Sequence, residues 1–268
     1  MMQTFKRLIK YLLVIAFPKP EGCLLCGMAA SGTGRRIAQL CLRCEQRFTF
    51  HTEICSLCGR QWTEEMADGD HCSFTDDERV CGDCLRRTIH DLILSRSAVV
   101  YNKPVKDLLS LYKFRGDRML APVLAFFLVY AYNKYYGSGG VAVPDLITYI
   151  PVHQSRLEER TFNQAEELAA LLGATVGIPV MALLEKTKAT DKQSRKTRKD
   201  RLHALDYAFC FKPPEPGHIT NDELLQKPEL DILLVDDVYT TGSTLHEAAR
   251  VLKHSLPHAS VYGLTVAR

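Results

Sequence analysis

The feature that most constrains the fold is the distribution of cysteine. Nine of the ten cysteines lie between Cys23 and Cys84, and only Cys210 occurs in the rest of the chain. Thiolates two residues apart in a turn can both bind one zinc ion at about 2.3 Å, and four of them complete a tetrahedral site. Eight of the nine form Cys-x-x-Cys pairs, which predict a small zinc-ribbon module: Cys23 and Cys26, Cys41 and Cys44, Cys55 and Cys58, Cys81 and Cys84.

The order in which these pairs combine is open at this point. Sequential pairing gives two Cys₄ sites, an interleaved arrangement also fits, and Cys72 is an alternative ligand for the last pair. Four thiolates close the coordination sphere, so we expect two structural zinc ions rather than catalytic ones. Disulfides are disfavoured because we expect a cytoplasmic protein, where thiols stay reduced. The aromatic residues of this region are expected mainly to pack in the core: Phe48, Phe50, Trp62 and Phe74.

The first 20 residues combine basic side chains with a short apolar run from Tyr11 to Phe17. The run is far shorter than the ~20 residues that span a bilayer, and no small-residue cleavage site follows it. We expect a helix that packs on the body or contacts the inner face of the membrane through residues 1–17. Lysine and arginine exceed aspartate and glutamate by three, 34 against 31, so net charge alone favours neither nucleic acid nor membrane.

Beyond residues 85–95 the pattern becomes that of an α/β domain. Its end, residues 231–268, is typical of a strand, turn, helix and strand, that is, a βαβ unit. Such units predict a mostly parallel sheet with helices on both faces. Earlier patterns predict strands over 95–102, 146–152 and about 178–183, and helices over 105–114, 119–136 and from an N-cap at Asn163 to near Gly173.

Two adjacent acids, Asp236 and Asp237, precede a loop rich in hydroxyl groups. Ligands of open α/β sheets bind where such a loop meets the positive end of a helix. Backbone N–H groups and several side chains could surround a phosphate there: Thr240, Thr241, Gly242, Ser243 and Thr244. Carboxylates repel phosphate, so they must face another part of the ligand or a cation. A phosphorylated ribose resolves the conflict, with its hydroxyls on the acids and Mg²⁺ bridging hydroxyls and a pyrophosphate.

The stretch "VDDVYTTGST" resembles the phosphoribosyl pyrophosphate (PRPP) motif of type I phosphoribosyltransferases. In that family the acids bind the ribose hydroxyls and the loop binds the 5′-phosphate. Four further stretches narrow the resemblance to the ComF/GntX family of competence-associated proteins. Three are "YKFRGDR", "IPVHQSRLEERTFNQAEELA" and "TDKQSRKTRKDRLHALDYAF", and the fourth is the cysteine-rich front, which is similar to that family's double zinc ribbon. The chain departs from the third pattern at Lys196, Ala204 and Tyr207, where leucine, asparagine and glycine are expected.

The resemblance implies a fold and a division of the chain. It predicts a type I phosphoribosyltransferase-like α/β domain over residues 91–268, preceded by a double zinc ribbon over 21–90 and an N-terminal helix over 1–20. It assigns Asp236 and Asp237 a catalytic role. Because "PVH" ends a strand, the arginines that follow should lie at the same sheet edge and can bind pyrophosphate. These arginines are Arg156 and Arg160, and the resemblance adds Lys113 and Arg115, from the separate segment 112–118, as candidate phosphate-binding residues.

The basic segment 185–203 carries eight lysines or arginines against three acids. The resemblance makes Arg198 and Arg201 candidates for a flap over pyrophosphate or for contacts with DNA. Two classes of function remain open. The chain is either a PRPP-binding component of DNA uptake, with single-stranded DNA and a helicase-like ATPase as partners, or an active phosphoribosyltransferase with an unnamed acceptor. A PRPP-sensing regulator is a variant of the first.

Overall fold

A computed structural model describes residues 22–29, 36–37, 39–63, 73–74, 79–87, 91–114, 117–187, 208–214 and 224–268. The predicted N-terminal helix and Cys72 lie outside these ranges. In chain order the elements are α1 (Leu42–Glu45), β1 (Ser73–Phe74), β2 (Arg79–Val80), α2 (Gly82–Leu85), β3 (Leu92–Val99), α3 (Lys103–Phe114), α4 (Ala121–Tyr135), β4 (Leu146–Tyr149), α5 (Gln154–Arg160), α6 (Gln164–Val176), β5 (Leu184–Lys186), β6 (Phe209–Phe211), β7 (Leu230–Val238), α7 (Ser243–Ser255) and β8 (Ala259–Ala267).

The central sheet has four strands in the order β3, β8, β7, β4, and every neighbouring pair is parallel. Its middle strands are nearly continuous apolar runs, as expected for strands buried on both faces. Two further strand pairs, β1 with β2 and β5 with β6, are antiparallel. The predicted α/β architecture with a mostly parallel sheet is therefore confirmed.

Helices cover both faces of the sheet, because successive residues of a strand point in opposite directions. On β7, Leu233 and Val235 pack in a core with α3, α4 and α6. Ile232 and Leu234 of the same strand pack in a second core with α7 and the β5–β6 pair. The sheet therefore separates two apolar cores, and a residue's parity along β7 decides which core it faces.

Two predicted boundaries shifted for identifiable reasons. The strand predicted over 95–102 is β3, which begins at Leu92 and ends at Val99. The strand predicted over 146–152 ends at Tyr149. The ladder continues only as far as Ile150, whose N–H donates to the Val235 carbonyl at 3.0 Å, and the next residue is a proline, which has no N–H to offer.

Gly173 does not end the third predicted helix, which continues to Val176. A Cβ atom on Gly173 would lie 2.4 Å from a methyl group of Val180, so glycine permits close packing of the following chain against the helix. Gly177, with φ of 79°, is the true C-cap. The predicted strand around 178–183 is only a parallel bridge between Val180 and Ile147.

The cysteine-rich module lies against the outer edge of β3, the edge that does not pair with β8. Phe50 forms an antiparallel bridge with Val99, and the Ser95 N–H donates to the Leu57 carbonyl at 2.7 Å. The ring of Phe48 packs against that of Phe127 on α4, with centroids 5.1 Å apart. The predicted core role of Phe48 is thus confirmed, and the module covers an edge strand that would otherwise be open to other chains.

Among the residues that the structure describes, no helix combines the length and the apolar character needed to cross a bilayer.

Candidate functional site

The eight paired cysteines form two clusters, and in each one the four sulfur atoms lie within 4.8 Å of one another. The pairs combine sequentially. Each cluster therefore offers the four thiol ligands of a tetrahedral zinc site. The first cluster consists of Cys23, Cys26, Cys41 and Cys44, and the second of Cys55, Cys58, Cys81 and Cys84.

The two clusters repeat one backbone design. In each, the first Cys-x-x-Cys pair is followed by a glycine in the left-handed region, Gly27 with φ of 71° and Gly59 with φ of 69°. The second pair starts at the N-cap of a one-turn helix, Cys41 before α1 and Cys81 before α2. Glycine is needed here because other residues adopt positive φ only at a cost. The repeat explains why two sequence intervals of different length produce the same thiol geometry.

Within the second cluster the pKa values of Cys55 and Cys81 are lowered and those of Cys58 and Cys84 are raised, because the four sulfur atoms interact with one another. Hydrogen bonds from Cys58, Cys81 and Cys84 hold the pKa of Cys55 well below its usual range. The backbone N–H of Cys81 also donates to the Cys55 sulfur at 3.3 Å. All four cysteines of this cluster are buried, whereas Cys26 of the first cluster is exposed. Because zinc binds thiolate rather than thiol, these residues fit a structural zinc ion.

The acid pair lies at the carboxyl end of the sheet, within β7 rather than after it. Asp237 has the parity of Val235 and faces the core under α4 and α6, where Lys113 at the end of α3 forms an ion pair with it. Asp236 has the parity of Leu234 and faces the opposite core. The two carboxylates therefore leave the strand on opposite faces, but the charge of Lys113 acts on both.

Asp236 is a perturbed acid. Burial, followed by repulsion from the Asp237 carboxylate, raises its pKa to about 7, although the cations of Lys113 and Lys186 act in the other direction. The N–H of Asp237 donates to the Asp236 carboxylate at 2.8 Å. Near neutral pH the protonated and deprotonated forms of this carboxyl group are therefore both populated, and a bound cation would favour the deprotonated form.

The end of α3 is held in place by α6. The Tyr112 hydroxyl donates to the Glu167 carboxylate at 2.7 Å. Arg118, just after the helix, donates two further hydrogen bonds to the same carboxylate, at 2.8 Å and 2.6 Å. These contacts fix the helical turn that carries Lys113. Arg115, predicted to bind phosphate, lies outside the described residues.

The loop after the acids has the shape expected of an anion site. Gly242 has φ of 78°, and a Cβ atom there would lie 2.1 Å from the hydroxyl oxygen of Tyr239, so only glycine fits. The hydroxyls of Thr241 and Ser243 are 2.8 Å apart. Thr240 is exposed and Thr244 is half-buried at the start of α7. The structure therefore brings the predicted loop residues together at one helix start.

The start of α7 differs from those of its neighbours. The side chain of His153 caps α5 by accepting from the N–H of Ser155 at 3.2 Å, and Asn163 caps α6 by accepting from the N–H of Ala165 at 3.1 Å. The N-cap of α7 is Gly242, which has no side chain, and the Thr241 hydroxyl accepts from the N–H of Ser243 at 3.4 Å. The first N–H groups of a helix need partners from outside the helix, and α7 is the one of these three helices whose N-cap residue has no side chain to supply one.

The segment after β4 reaches the same edge as the acids, because β4 and β7 are parallel and Tyr149 pairs with Val235. His153 acts as a cap, and Arg156 lies half-buried in the first turn of α5. Arg160 is the last residue of that helix. Arg198 and Arg201 lie outside the described residues.

Two contacts at the site were absent from the sequence-based prediction. Arg87, three residues after Cys84, donates from its guanidinium to the Thr241 carbonyl at 3.2 Å. Arg268 lies over the ring of Tyr239, with 3.9 Å between the guanidinium carbon and the ring centroid. Neither arginine belongs to a motif, and only the spacing from Cys84 would have pointed to Arg87.

Comparison with known proteins gives a consistent result, although no family model matches the chain. It is 32% identical over 239 residues to competence protein ComFC of Bacillus subtilis (strain 168), which covers 86% of this chain and 84% of that protein. It is 30% identical over 236 residues to competence protein ComFC of Streptococcus pneumoniae, covering 87% and 94%. DNA utilization protein YhgH of Escherichia coli (strain K12) is 28% identical over 217 residues, 80% of this chain and 90% of that protein. Similarity of this level along most of both chains shows that the chain belongs to the ComF family.

Proposed function

We propose that this chain is a component of DNA uptake in natural competence that binds PRPP, or a related phosphoribosyl ligand, together with Mg²⁺. The names of the relatives point to competence and DNA utilization. The observation that carries the ligand proposal is the juxtaposition of two carboxylates with a helix start whose N-cap is a glycine, at the carboxyl edge of a parallel sheet. That edge is where open α/β sheets bind their ligands.

The phosphate of the ligand would occupy the start of α7. Gly242 allows the backbone to approach an anion closely, and the Thr241 and Ser243 hydroxyls supply further hydrogen bonds. The helix dipole favours negative charge at this end. Lys253 and His254 stand in the last turn of α7, where cations complement the opposite end of the dipole.

The acids would bind the ribose. Sugar hydroxyls donate to carboxylates, and Mg²⁺ prefers carboxylate, hydroxyl and phosphate oxygens, so Asp236 and Asp237 fit the requirements of both. Magnesium would neutralise the pyrophosphate and bring it to the sheet edge. Binding requires Asp236 in its deprotonated form, and its pKa of about 7 makes ligand affinity rise with pH through neutrality. Arg156 at the same edge is positioned to meet the pyrophosphate.

The handling of single-stranded DNA is the second half of the proposal. Its support is the basic stretch 185–203, which includes Arg198 and Arg201, together with the names of the relatives. The partner would be a helicase-like ATPase of the uptake machinery on the cytoplasmic side, where residues 1–17 would contact the membrane. Backbone phosphate contacts would make the affinity fall steeply with salt.

Calorimetric titration of PRPP in the presence of Mg²⁺ tests the ligand. We expect the double variant Asp236→Asn with Asp237→Asn to bind at least about 10-fold more weakly, because a carboxylate contact to ligand or metal is worth roughly 1.5–3 kcal/mol. Asp107→Asn, which changes an exposed acid of α3, is the matched control. Absence of binding by the wild-type chain at millimolar PRPP would refute the ligand proposal.

A separate titration tests DNA. Single-stranded DNA should bind at low salt and be released as the salt concentration rises, and Arg198→Gln with Arg201→Gln should reduce the slope of that dependence. Absence of binding at low salt would remove direct DNA contact while leaving the PRPP site intact.

Phosphoribosyl transfer is the second candidate function. The observation that favours it is the half-buried Asp236 at the carboxyl edge of the sheet, whose pKa of about 7 suits a group that exchanges protons during a reaction. Release of pyrophosphate from Mg²⁺ and PRPP in the presence of candidate acceptors would establish it. PRPP binding without release would leave a binding component or a PRPP sensor.

A further inference from the structure

The second cysteine cluster is joined to the phosphate loop by one side chain. Arg87 follows α2, and its backbone N–H donates to the carbonyl of Cys84 at 3.1 Å. Its guanidinium donates to the Thr241 carbonyl at 3.2 Å. The two ends of this hydrogen bond are 154 residues apart in the chain. A residue tied to a zinc ligand thus holds the loop that the proposed function assigns to phosphate.

The contact fixes the orientation of one peptide group. In a planar trans peptide the C=O and the following N–H point in opposite directions. With the Thr241 carbonyl directed towards Arg87, the N–H of Gly242 is directed away from the cysteine module, to the other side of the loop. If this peptide rotated, it would present a carbonyl oxygen where an anion needs a donor.

The other hydrogen bonds of the loop involve the neighbours of the Thr241 carbonyl: the Thr241 hydroxyl accepts from the N–H of Ser243 at 3.4 Å, and the Gly242 carbonyl accepts from the N–H of His246 at 2.9 Å. Gly242 has no side chain and adopts φ of 78°, a conformation in which glycine has more freedom than other residues. On one side Tyr239 is only 3% exposed and is packed beneath the guanidinium of Arg268. It blocks movement towards the core and makes no hydrogen bond to the Thr241 carbonyl. Arg87 supplies the hydrogen bond to the Thr241 carbonyl itself.

The same face of the second cluster supports Tyr239. A small cavity separates the cluster from the loop, and its lining includes Cys58, Cys84, Arg87, Tyr239 and His246. The Tyr239 hydroxyl lies 3.4 Å from His246 on α7. The cluster therefore meets the loop twice, through a hydrogen bond from Arg87 and through the packing around Tyr239.

We propose that Arg87 is a positioning residue of the phosphate site and that it couples the second Cys₄ cluster to the loop. With zinc bound, the turn of Cys81 and Cys84 is fixed and Arg87 holds the 241–242 peptide with its N–H towards the ligand. Loss of the metal frees that turn and weakens ligand binding. Coupling of this kind is reciprocal, so bound ligand also slows loss of metal from the second cluster. This inference rests on the proposed phosphate site.

The test compares three single-residue variants, two at Arg87 and one at the neighbouring Arg86. Arg87→Met removes the donor and keeps the apolar stem, Arg87→Lys keeps one donor, and Arg86→Met changes an arginine of the same turn that pairs with Asp83 instead. Each variant is measured for zinc content, for affinity towards Mg²⁺ and PRPP and towards inorganic phosphate, and for hydrogen exchange of the amides in residues 239–244 without ligand.

We expect Arg87→Met to keep its zinc, to exchange the loop amides faster and to bind PRPP about 10-fold more weakly, as loss of a hydrogen bond from a charged donor predicts. Arg87→Lys should recover part of both effects, and Arg86→Met should match the wild type. The inference is overturned if Arg87→Met exchanges and binds like the wild type, if it loses zinc, or if Arg86→Met shows the same changes. The exchange measurement needs no ligand, so it decides the link between Arg87 and the loop even where the wild type binds neither PRPP nor phosphate.

Discussion

Lys113 and Asp237 form an ion pair across the end of the sheet, with 23% and 11% of their side chains exposed. The pair joins α3 to β7, two elements separated by more than a hundred residues in the chain. The lysine neutralises the charge of the Asp237 carboxylate on one face of β7. Asp236, on the other face, has a pKa raised to about 7. The two adjacent acids are therefore not equivalent, and changes at each should have different effects.

Lys113→Met should lower the free energy of unfolding by about 2 kcal/mol. The change retains the apolar stem but leaves Asp237 without its partner, and the expected cost lies between those of exposed and fully buried ion pairs. Urea denaturation measures it. Lys103→Met removes the exposed partner of Asp107 on the same helix and should change stability by less than about 0.5 kcal/mol. Equal losses in both variants would contradict a special role for the buried pair.

The stability of the chain should depend on Asp236 with a defined sign. Its folded-state pKa of about 7 lies above the ordinary value of 3.8, so the folded state binds more protons between these two pH values. The contribution of Asp236 to the free energy of unfolding is then fully present below pH 4 and is lost as the pH rises through about 7. Asp236→Asn stays uncharged, so its stability relative to the wild type should increase from about pH 5 to pH 8. A constant difference in urea denaturation across that range would contradict the raised pKa.

Gly242→Ala should destabilise the protein by more than the usual cost of placing alanine at a positive φ. A comparable change at Gly177, which also has a φ near 80° but meets no atom within 4 Å of an added Cβ, should cost about 1 kcal/mol. At Gly242 the added Cβ also collides with Tyr239, so we expect a loss of roughly 2–4 kcal/mol together with weaker PRPP binding. Thermal unfolding of both variants separates the two costs. Similar losses at both glycines would show that the loop moves aside freely.

The two zinc sites should lose metal at different rates. Elemental analysis should find about two zinc ions per chain, one for each cluster. Under a thiol-reactive reagent with a colorimetric chelator, the first site should release its ion sooner, because Cys26 is exposed whereas every ligand of the second site is buried. Cys26→Ser should remove only the fast phase and Cys55→Ser only the slow one. A single phase for the wild type would show that the two sites open together.

The fold class could be predicted from the sequence because its hydrophobic patterns extend over long segments and several of them agree. The βαβ unit at the end of the chain combines a buried aliphatic strand, an amphipathic helix and a second strand, and it appears as β7, α7 and β8. Gly173 misled the prediction because glycine serves both to end helices and to permit close packing, and only the position of Val180 distinguishes the two. The short β5–β6 pair depends on contact between distant segments and has no local signal.

The sequence predicted which residues form the acid pair and the loop, but not which other side chains contact them. The acid pair and the loop could be named because they are contiguous in the chain. Strand parity places Asp236 and Asp237 on opposite faces, yet the partner that each face supplies depends on where α3 and β5 pack. Arg87 and Arg268 reach the loop only through tertiary packing and belong to no motif, and the one local signal is the position of Arg87 three residues after Cys84.

The cysteine module's pairing along β3 has a consequence for any shortened form of the chain. The N–H groups of Ser95 and Val100 donate to the carbonyls of Leu57 and Thr49, and the Ala98 carbonyl accepts from the N–H of His51. The module therefore satisfies backbone groups of β3 that face outwards from the sheet. A form beginning at residue 91 would present those groups as an unpaired edge together with the apolar surface beneath Phe48. We expect such a form to self-associate through strand addition. Metal binding by the cysteine module therefore also keeps the α/β domain soluble, because it holds in place the segment that covers β3.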